Sequence, residues 1–146
     1  MCGYYFTLLT RFDNIDILTF RDVIKGLIGG RVNICSWKAG CLQHISFDAS
    51  GNAFPCARYH SYPETTLGDI QKQSFSGILE SKTTKWVHEG IAEGQAKCSE
   101  CKWNVICGSG CPFLKYALYG TWSGRYVHCQ PRQSLFNHVQ NRIFKK

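Results

Sequence analysis

Cysteine is the residue type whose number and spacing point most directly to chemistry in this chain. The sequence has 146 residues and nine cysteines. Cys2 stands apart from the others, which fall into three groups along the chain. These groups are Cys35-x5-Cys41-x14-Cys56, Cys98-x2-Cys101-x5-Cys107-x3-Cys111 and the single Cys129. Thiolates two residues apart can bind one metal ion or cluster from a single turn, whereas so many unbound thiolates would repel one another. We therefore interpret the three groups as metal ligands.

The spacing does not decide which kind of metal site these cysteines form. An odd number of cysteines without a secretory signal favours metal binding over a disulfide framework. Eight thiolates would fill two four-ligand sites, and structural zinc and iron–sulfur clusters both use such sites. The spacing also allows the four cysteines of the second group to share one site. Zinc and iron–sulfur chemistry therefore both stay open at this point.

Charge and hydropathy exclude several classes of partner. The chain has 17 lysines and arginines against 10 aspartates and glutamates, a formal net charge of +7. Thiolates bound to metal would offset much of this charge, and no basic run of five residues is present, so we predict no nucleic-acid binding. No apolar run approaches the roughly 20 residues that a membrane span needs. We therefore predict a cytoplasmic protein without a membrane or nucleic-acid partner.

The element that must position the first cysteines is a hairpin. The sequence Asp48-Ala49-Ser50-Gly51 is typical of a turn, and the residues before it alternate in polarity. We therefore predict a two-stranded hairpin over 42–56. Its arms have similar lengths, which would bring Cys41 and Cys56 to the same end, and Gly51 allows a positive φ in the turn.

Helices are predicted on both sides of the cysteine groups. Apolar periodicity predicts a helix over 16–30, with Thr19 and Asp22 as a capping box and Gly29-Gly30 as its end. Further helices are predicted over 74–80, 83–95, 112–119 and 130–144, whereas 57–68 shows no clear pattern. The fold class that follows is α+β: a small, irregular domain with a two-stranded hairpin, cysteine-rich loops and flanking helices.

The complete cysteine pattern resembles that of the SPASM domain of radical SAM enzymes. The pattern reads C-x9-G-x4-C from Cys41 to Cys56, then C-x2-C-x5-C-x3-C, then a final cysteine. The connecting segments Leu-Gly-Asp-Ile at 67–70 and Cys-Gly-Ser-Gly-Cys-Pro at 107–112 are similar in kind. The resemblance covers 35–129. It divides the chain into an N-terminal linker and helix at 1–34, a twin-cluster domain at 35–129 and a C-terminal helix at 130–146.

The resemblance implies two auxiliary [4Fe-4S] clusters in a maturase of peptides or proteins, such as the anaerobic sulfatase maturases. It also implies an interleaved division of the cysteines between these clusters. Cluster I would be bound by Cys35, Cys41, Cys56 and Cys111. Cluster II would be bound by Cys98, Cys101, Cys107 and Cys129. The implied role is to relay electrons and position the substrate, and the alternative is a stand-alone zinc-binding interaction module.

Two departures from the family pattern limit what this chain can do alone. The C-x3-C-x2-C motif that binds S-adenosylmethionine through its cluster is absent, because Leu114 stands where Cys107 and Cys111 would need a third cysteine. The expected partners are therefore a radical SAM core, either a domain of a longer enzyme or a separate protein, which would bring S-adenosylmethionine, and a peptide or protein substrate. The position after Cys56 is Ala57, whereas the sulfatase maturases have an aspartate proposed as the general base there, so a crosslink-forming peptide maturase is favoured.

A few other side chains are candidates for positions near the clusters. His60 and His128 are the histidines closest in sequence to cysteines. Trp86, Trp103 and Trp122 could shield clusters from solvent, although core packing explains tryptophans equally well.

Overall fold

A computed structural model describes residues 16–144, so Cys2 lies outside the described residues. The helices are α1 (Leu18–Leu27), α2 (Phe75–Leu79), α3 (Lys82–Ala96), α4 (Pro112–Tyr119) and α5 (Cys129–Phe144). The strands are β1 (Ser46–Phe47), β2 (Asn52–Phe54) and β3 (Gly68–Asp69), and two 3-10 turns cover Ala57–Ser61 and Pro63–Thr65. The predicted α+β class is confirmed. In this part of the chain, no helix is both long and apolar enough to cross a membrane.

The predicted hairpin forms, and a third strand extends it. β1 and β2 pair antiparallel with Phe47 opposite Ala53, and β2 pairs with β3 with Ala53 opposite Gly68. Asp48 closes the turn, since its carboxylate accepts hydrogen bonds from the backbone amides of Ser50 and Asn52, both at 2.9 Å. β3 was not predicted because a two-residue strand that begins with glycine carries no alternation to detect.

We expect the Asp48 turn to make folding sensitive to acid. The hydrogen bond from the Asn52 side chain, with the backbone bonds, lowers the pKa of Asp48. A carboxyl with a lowered folded-state pKa stabilises the protein above its unfolded pKa, and this contribution is lost as the pH falls through that range. The melting temperature of the wild type should therefore drop between about pH 5 and pH 3. Asp48→Asn, which keeps one acceptor oxygen but cannot titrate, should show a shallower dependence, and equal slopes would contradict the assignment.

The first helix is shorter than predicted, and its predicted capping box is wrong. Ile17 occupies the N-cap position and no side chain caps the helix. Asp22 is fully buried instead, and its carboxylate accepts a hydrogen bond of 2.8 Å from the backbone amide of Asn33. A buried carboxylate needs such a donor, so this side chain holds the loop that leads to Cys35 rather than the start of α1.

The four later helices agree with the predicted ones to within one or two residues. α4 begins with Pro112 and ends at Tyr119, and the next residue, Gly120, has a φ of +67°, the left-handed conformation that commonly terminates a helix. Two glycines inside α3 have a packing role. A Cβ at Gly90 would lie 2.9 Å from a ring carbon of Trp122, and one at Gly94 would lie 2.7 Å from the Trp122 carbonyl oxygen. Both glycines therefore allow α3 to approach the Trp122 segment.

Buried side chains form two cores, and each core carries part of the cysteine set. The first core joins the sheet to α2, α3 and α4 and includes Tyr59, Leu67 and Trp122, with Cys41 and Cys56 packed against it. The second core lies where α1 packs on α5. It is built by Phe20, Val23, Val32, Trp37, Trp103, Ile106, Phe136 and Val139, with Cys101 and Cys107 packed against it. The short segment 107–111 is one of several connections between the two cores along the chain.

Candidate metal centre

Four of the predicted ligands line one cavity beside the second core. Arg132 lines it too, and we call it the Arg132 cavity. The cavity has a volume of about 360 Å³. Its wall includes Cys98, Cys101, Cys107 and Cys129, together with the buried ring of Trp103. The loop that follows α3 supplies three of these thiols, and the first residue of α5 supplies the fourth. Cys111 is not part of this wall, although it lies only four residues after Cys107.

Cationic and amide groups surround the sulfur atoms of this cavity. Arg132 donates a hydrogen bond of 3.3 Å from Nη1 to Cys107 Sγ. Gln133 Nε2 lies 3.6 Å from Cys129 Sγ and 4.0 Å from Cys101 Sγ. These contacts would stabilise thiolates rather than neutral thiols, because N–H groups favour the anionic form of a sulfur that they contact.

The side chain of Arg132 is held in place on several sides. Its Nη2 donates to the hydroxyl of Tyr126 at 3.0 Å and to the backbone oxygen of Ser36 at 3.3 Å. Its guanidinium lies over the rings of Tyr126 and Trp37, 4.2 Å and 5.1 Å from their centroids. A guanidinium fixed in this way can place a positive charge beside Cys107 without further ordering.

Three of the four remaining predicted ligands, Cys41, Cys56 and Cys111, interact with one another. The thiols of Cys41 and Cys56 interact with each other. This interaction, together with burial, raises the pKa of Cys41, whereas the same interaction lowers the pKa of Cys56. Cys111 is buried and interacts electrostatically with Cys41. Arg58, two residues after Cys56, lies with Nη1 3.9 Å from Cys111 Sγ.

Cys35 is the predicted ligand that the structure leaves most exposed. Its carbonyl oxygen accepts a hydrogen bond of 3.1 Å from the amide of Gly40, so the Cys35 turn ends directly before Cys41. All eight cysteines of residues 35–129 are free thiols. Across residues 16–144, no three side chains of histidine, cysteine, aspartate or glutamate lie close enough to hold a single metal ion.

The chemistry of the donor set and two buried groups fit a thiolate-bound cluster. Thiolates are soft ligands, which suit zinc, copper(I) and iron–sulfur clusters rather than magnesium or calcium. Trp103 lines the cavity, and its buried indole N–H has no hydrogen-bond partner in the described part of the chain. A buried orphan donor is costly, and the sulfide or thiolate of a cluster would be an acceptor for it. Lys115 is also buried, 3% exposed, close to the same thiols.

The histidines and tryptophans singled out in the sequence have different surroundings. His60 lies 3.0 Å from the Ser46 hydroxyl and packs on the Phe54 ring, and His128 packs against the Tyr126 ring. Trp122 is buried and donates from Nε1 to Tyr59, whose hydroxyl oxygen is 3.9 Å from Cys41 Sγ. Trp86 packs on Trp122 but is 47% exposed, so it covers that core only in part.

Sequence reasoning missed the positive and amide side chains around the sulfur atoms. Arg58, Arg132 and Gln133 lie within four residues of a predicted ligand, so a search of ligand neighbours for donors could have found them. The contact of Arg132 with Cys107 joins residues 25 apart, and the burial of Lys115 depends on how α4 faces α3. No local signal in the sequence indicates these two features.

Comparison with known proteins identifies a related domain family. The family model for SPASM, an iron–sulfur cluster-binding domain, matches residues 30–102, half of the chain. The match includes the first cysteine group with Cys98 and Cys101, and it stops before Cys107, Cys111 and Cys129. The cysteine-type anaerobic sulfatase-maturating enzyme of Clostridium novyi (strain NT) is 25% identical over 122 residues, which cover 84% of this chain and 32% of that protein.

Solved structures show a similar fold. Hexahistidine-tagged anSMEcpe with bound AdoMet superposes with a TM-score of 0.75 at 19% identity, covering 96% of this chain and 36% of that one. Native anSMEcpe with bound AdoMet and the Kp18Cys peptide superposes with a TM-score of 0.69 at 18% identity, covering 96% of this chain and 38% of that one. This chain therefore spans about a third of the length of these relatives. By its family-model match, its cysteine pattern and its fold, the chain belongs to the SPASM family of iron–sulfur cluster-binding domains.

Proposed function

We propose that this chain is the auxiliary cluster domain or subunit of a radical SAM maturase that modifies a peptide or protein. In this proposal, the domain holds two [4Fe-4S] clusters, relays single electrons and helps to position the substrate. The observation that carries it is the separation of the thiols into two groups. Cys98, Cys101, Cys107 and Cys129 share the Arg132 cavity, whereas Cys41 and Cys56 pack against the first core and Cys111 lies beside Arg58.

The same separation supports the interleaved division of ligands. Cys98, Cys101, Cys107 and Cys129 would hold cluster II, since these are the thiols that line the cavity. Cys35, Cys41, Cys56 and Cys111 would hold cluster I. The contact of Arg58 with Cys111, and the electrostatic interaction of Cys111 with Cys41, favour this assignment over a site formed by the whole second group.

Bound clusters would supply one-electron uptake and release at potentials set by their surroundings. The side chains of this chain would set those surroundings. Arg132, Gln133 and the Trp103 indole would direct N–H groups at sulfur, which favours the reduced and more negative state. If all eight cysteines bind, no iron keeps an open position, so the clusters would serve electron transfer and folding rather than direct substrate binding.

The substrate class follows from the relatives and from one position of this chain. The relatives include a sulfatase-maturating enzyme, and one solved neighbour holds a peptide. Ala57 follows Cys56 and has no group that accepts a proton, so sulfatase maturation with a base at this position is disfavoured. We propose a peptide-modifying reaction, such as crosslink formation, in the cytoplasm, with S-adenosylmethionine bound by a radical SAM core that residues 16–144 do not supply.

Metal and acid-labile sulfide analysis after anaerobic purification tests the proposal. We expect about eight irons and eight sulfides per chain, the sum for two clusters, with broad absorption near 400 nm. Roughly two zinc ions without sulfide would contradict the proposal and favour the zinc-binding interaction module. A preparation that holds only about four irons under iron-replete reconstitution would contradict the two-cluster form.

A further inference from the structure

Lys115 is a buried cation whose surroundings need an explanation. It lies on α4, and its side chain is 3% exposed. Its ammonium donates a hydrogen bond to the hydroxyl of Ser109, which in turn donates to the backbone oxygen of Gly94 at 2.9 Å. A Cβ on Gly94 would lie 2.9 Å from Lys115 Nζ, so this ammonium is packed directly against α3.

No carboxylate compensates this charge in the part of the chain that the structure describes. The ion pairs there involve Arg21, Lys72 and Lys97. A buried ammonium without an anionic partner is strongly disfavoured, and one hydroxyl acceptor does not replace its hydration. Lys115 interacts instead with the thiols of Cys98 and Cys107, each more strongly than with the opposing charge of the exposed Lys97, and more weakly with the thiol of Cys111. The anions that balance Lys115 must therefore come from these sulfur atoms and what they bind.

The ammonium of Lys115 lies near predicted ligands of both proposed clusters. Cys98 and Cys107 line the Arg132 cavity, whereas Cys111 belongs to the group near Arg58. Ser109, which accepts the hydrogen bond of the ammonium, lies midway between Cys107 and Cys111 in the sequence. In this position, a single charge acts on the ligands of both sites through a water-poor interior, where electrostatic interactions are little screened.

We propose that Lys115 is a positioning residue shared by the two clusters, and that its ammonium stabilises the reduced state of both. The inference rests on the proposed function, because it needs clusters at both groups of thiols. Each cluster becomes one unit more negative when it takes up an electron, so a nearby fixed cation raises its reduction potential. The two potentials should therefore shift together when this one charge is removed.

Redox titration of the anaerobically purified protein, followed by electron paramagnetic resonance, tests the proposal. Dithionite supplies the electrons, and each reduced cluster gives its own signal. In Lys115→Met, which keeps the length of the side chain without its charge, the reduction equilibrium constant of each cluster should fall at least tenfold. This change corresponds to a potential about 59 mV more negative for one electron. Lys115→Arg keeps the charge, so the potentials of both clusters should stay close to those of the wild type.

Lys97→Met is the matched control, because Lys97 lines the cavity of Cys98 and Cys107 but its side chain is 57% exposed. Lys97→Met should shift the two reduction potentials much less, since solvent screens the charge of Lys97. If Lys115→Met does not load iron, Ser109→Ala provides the second test. That change frees the ammonium without removing it and should lower both potentials less than Lys115→Met would.

The outcomes separate this inference from the proposed function. A wild-type protein without iron and sulfide would contradict the proposed function before any variant is compared. A loaded protein in which Lys115→Met shifts neither potential, shifts only one, or shifts them no more than Lys97→Met would overturn the role of Lys115 alone. Unchanged potentials in Ser109→Ala would also contradict it.

Discussion

A protein that carries Cys111→Ala is expected to lose one cluster, about four irons and four sulfides, and to keep the other. Cys111 is buried beside Arg58, outside the wall of the Arg132 cavity, so its removal should affect the group of Cys41 and Cys56. Adding Cys56→Ala to this variant should therefore cost no further iron. Iron and sulfide analysis of anaerobically reconstituted protein measures both results.

A second double variant is expected to lose both clusters, whereas the first keeps one. Cys107 lines the cavity and contacts Arg132, so Cys107→Ala combined with Cys111→Ala should remove both clusters. If the four cysteines of 98–111 instead shared one site, the results would be reversed. The Cys107/Cys111 pair would then retain about four irons, and the Cys56/Cys111 pair would retain almost none. The two double variants thus decide between the interleaved and the sequential division of ligands.

Gly110→Ala is expected to destabilise the domain by about 3 kcal/mol, from the combined cost of backbone strain and overpacking. Gly110 has a φ of +82°, in the left-handed region that costs a residue with a Cβ about 1 kcal/mol or more. The added Cβ would also overlap ring carbons of Tyr126. Tyr126 is buried and its hydroxyl accepts a hydrogen bond from Arg132, so the ring cannot move without disturbing the Cys107 site.

Gly120→Ala is the matched control for Gly110→Ala. Gly120 also has a positive φ, +67°, but nothing lies within 4 Å of the position that its Cβ would occupy. Gly120→Ala should therefore lower the free energy of unfolding only by the backbone strain, about 1 kcal/mol. Anaerobic thermal unfolding followed by circular dichroism compares the two variants. Equal effects would show that Tyr126 accommodates the methyl group, and would remove the packing part of the explanation.

The residues that could be predicted from the sequence are those whose role depends on their own type or immediate neighbours. The cysteine spacing identified the family, and the Asp48 turn and the Pro112 and Gly120 signals located local elements, because these features act over a few residues. The side chains that tune the site depend on packing between distant segments. Arg132 contacts Cys107 only because α5 lies across the 98–107 loop. Asp22 accepts a hydrogen bond from the backbone amide of Asn33 rather than capping its own helix.

The segment 108–110 is a part of the chain where insertions and deletions should not be tolerated. It joins two cores that each carry a set of thiols, and it is buried throughout. A Cβ at Gly108 would lie 3.3 Å from the backbone of Lys38, and Gly110 faces Tyr126, so neighbours confine both ends. An insertion or deletion here would move Cys107 relative to Cys111 and disturb both halves at once. By contrast, residues 70–73, in the loop between β3 and α2, are exposed, and a loop of this kind is where added residues would be tolerated.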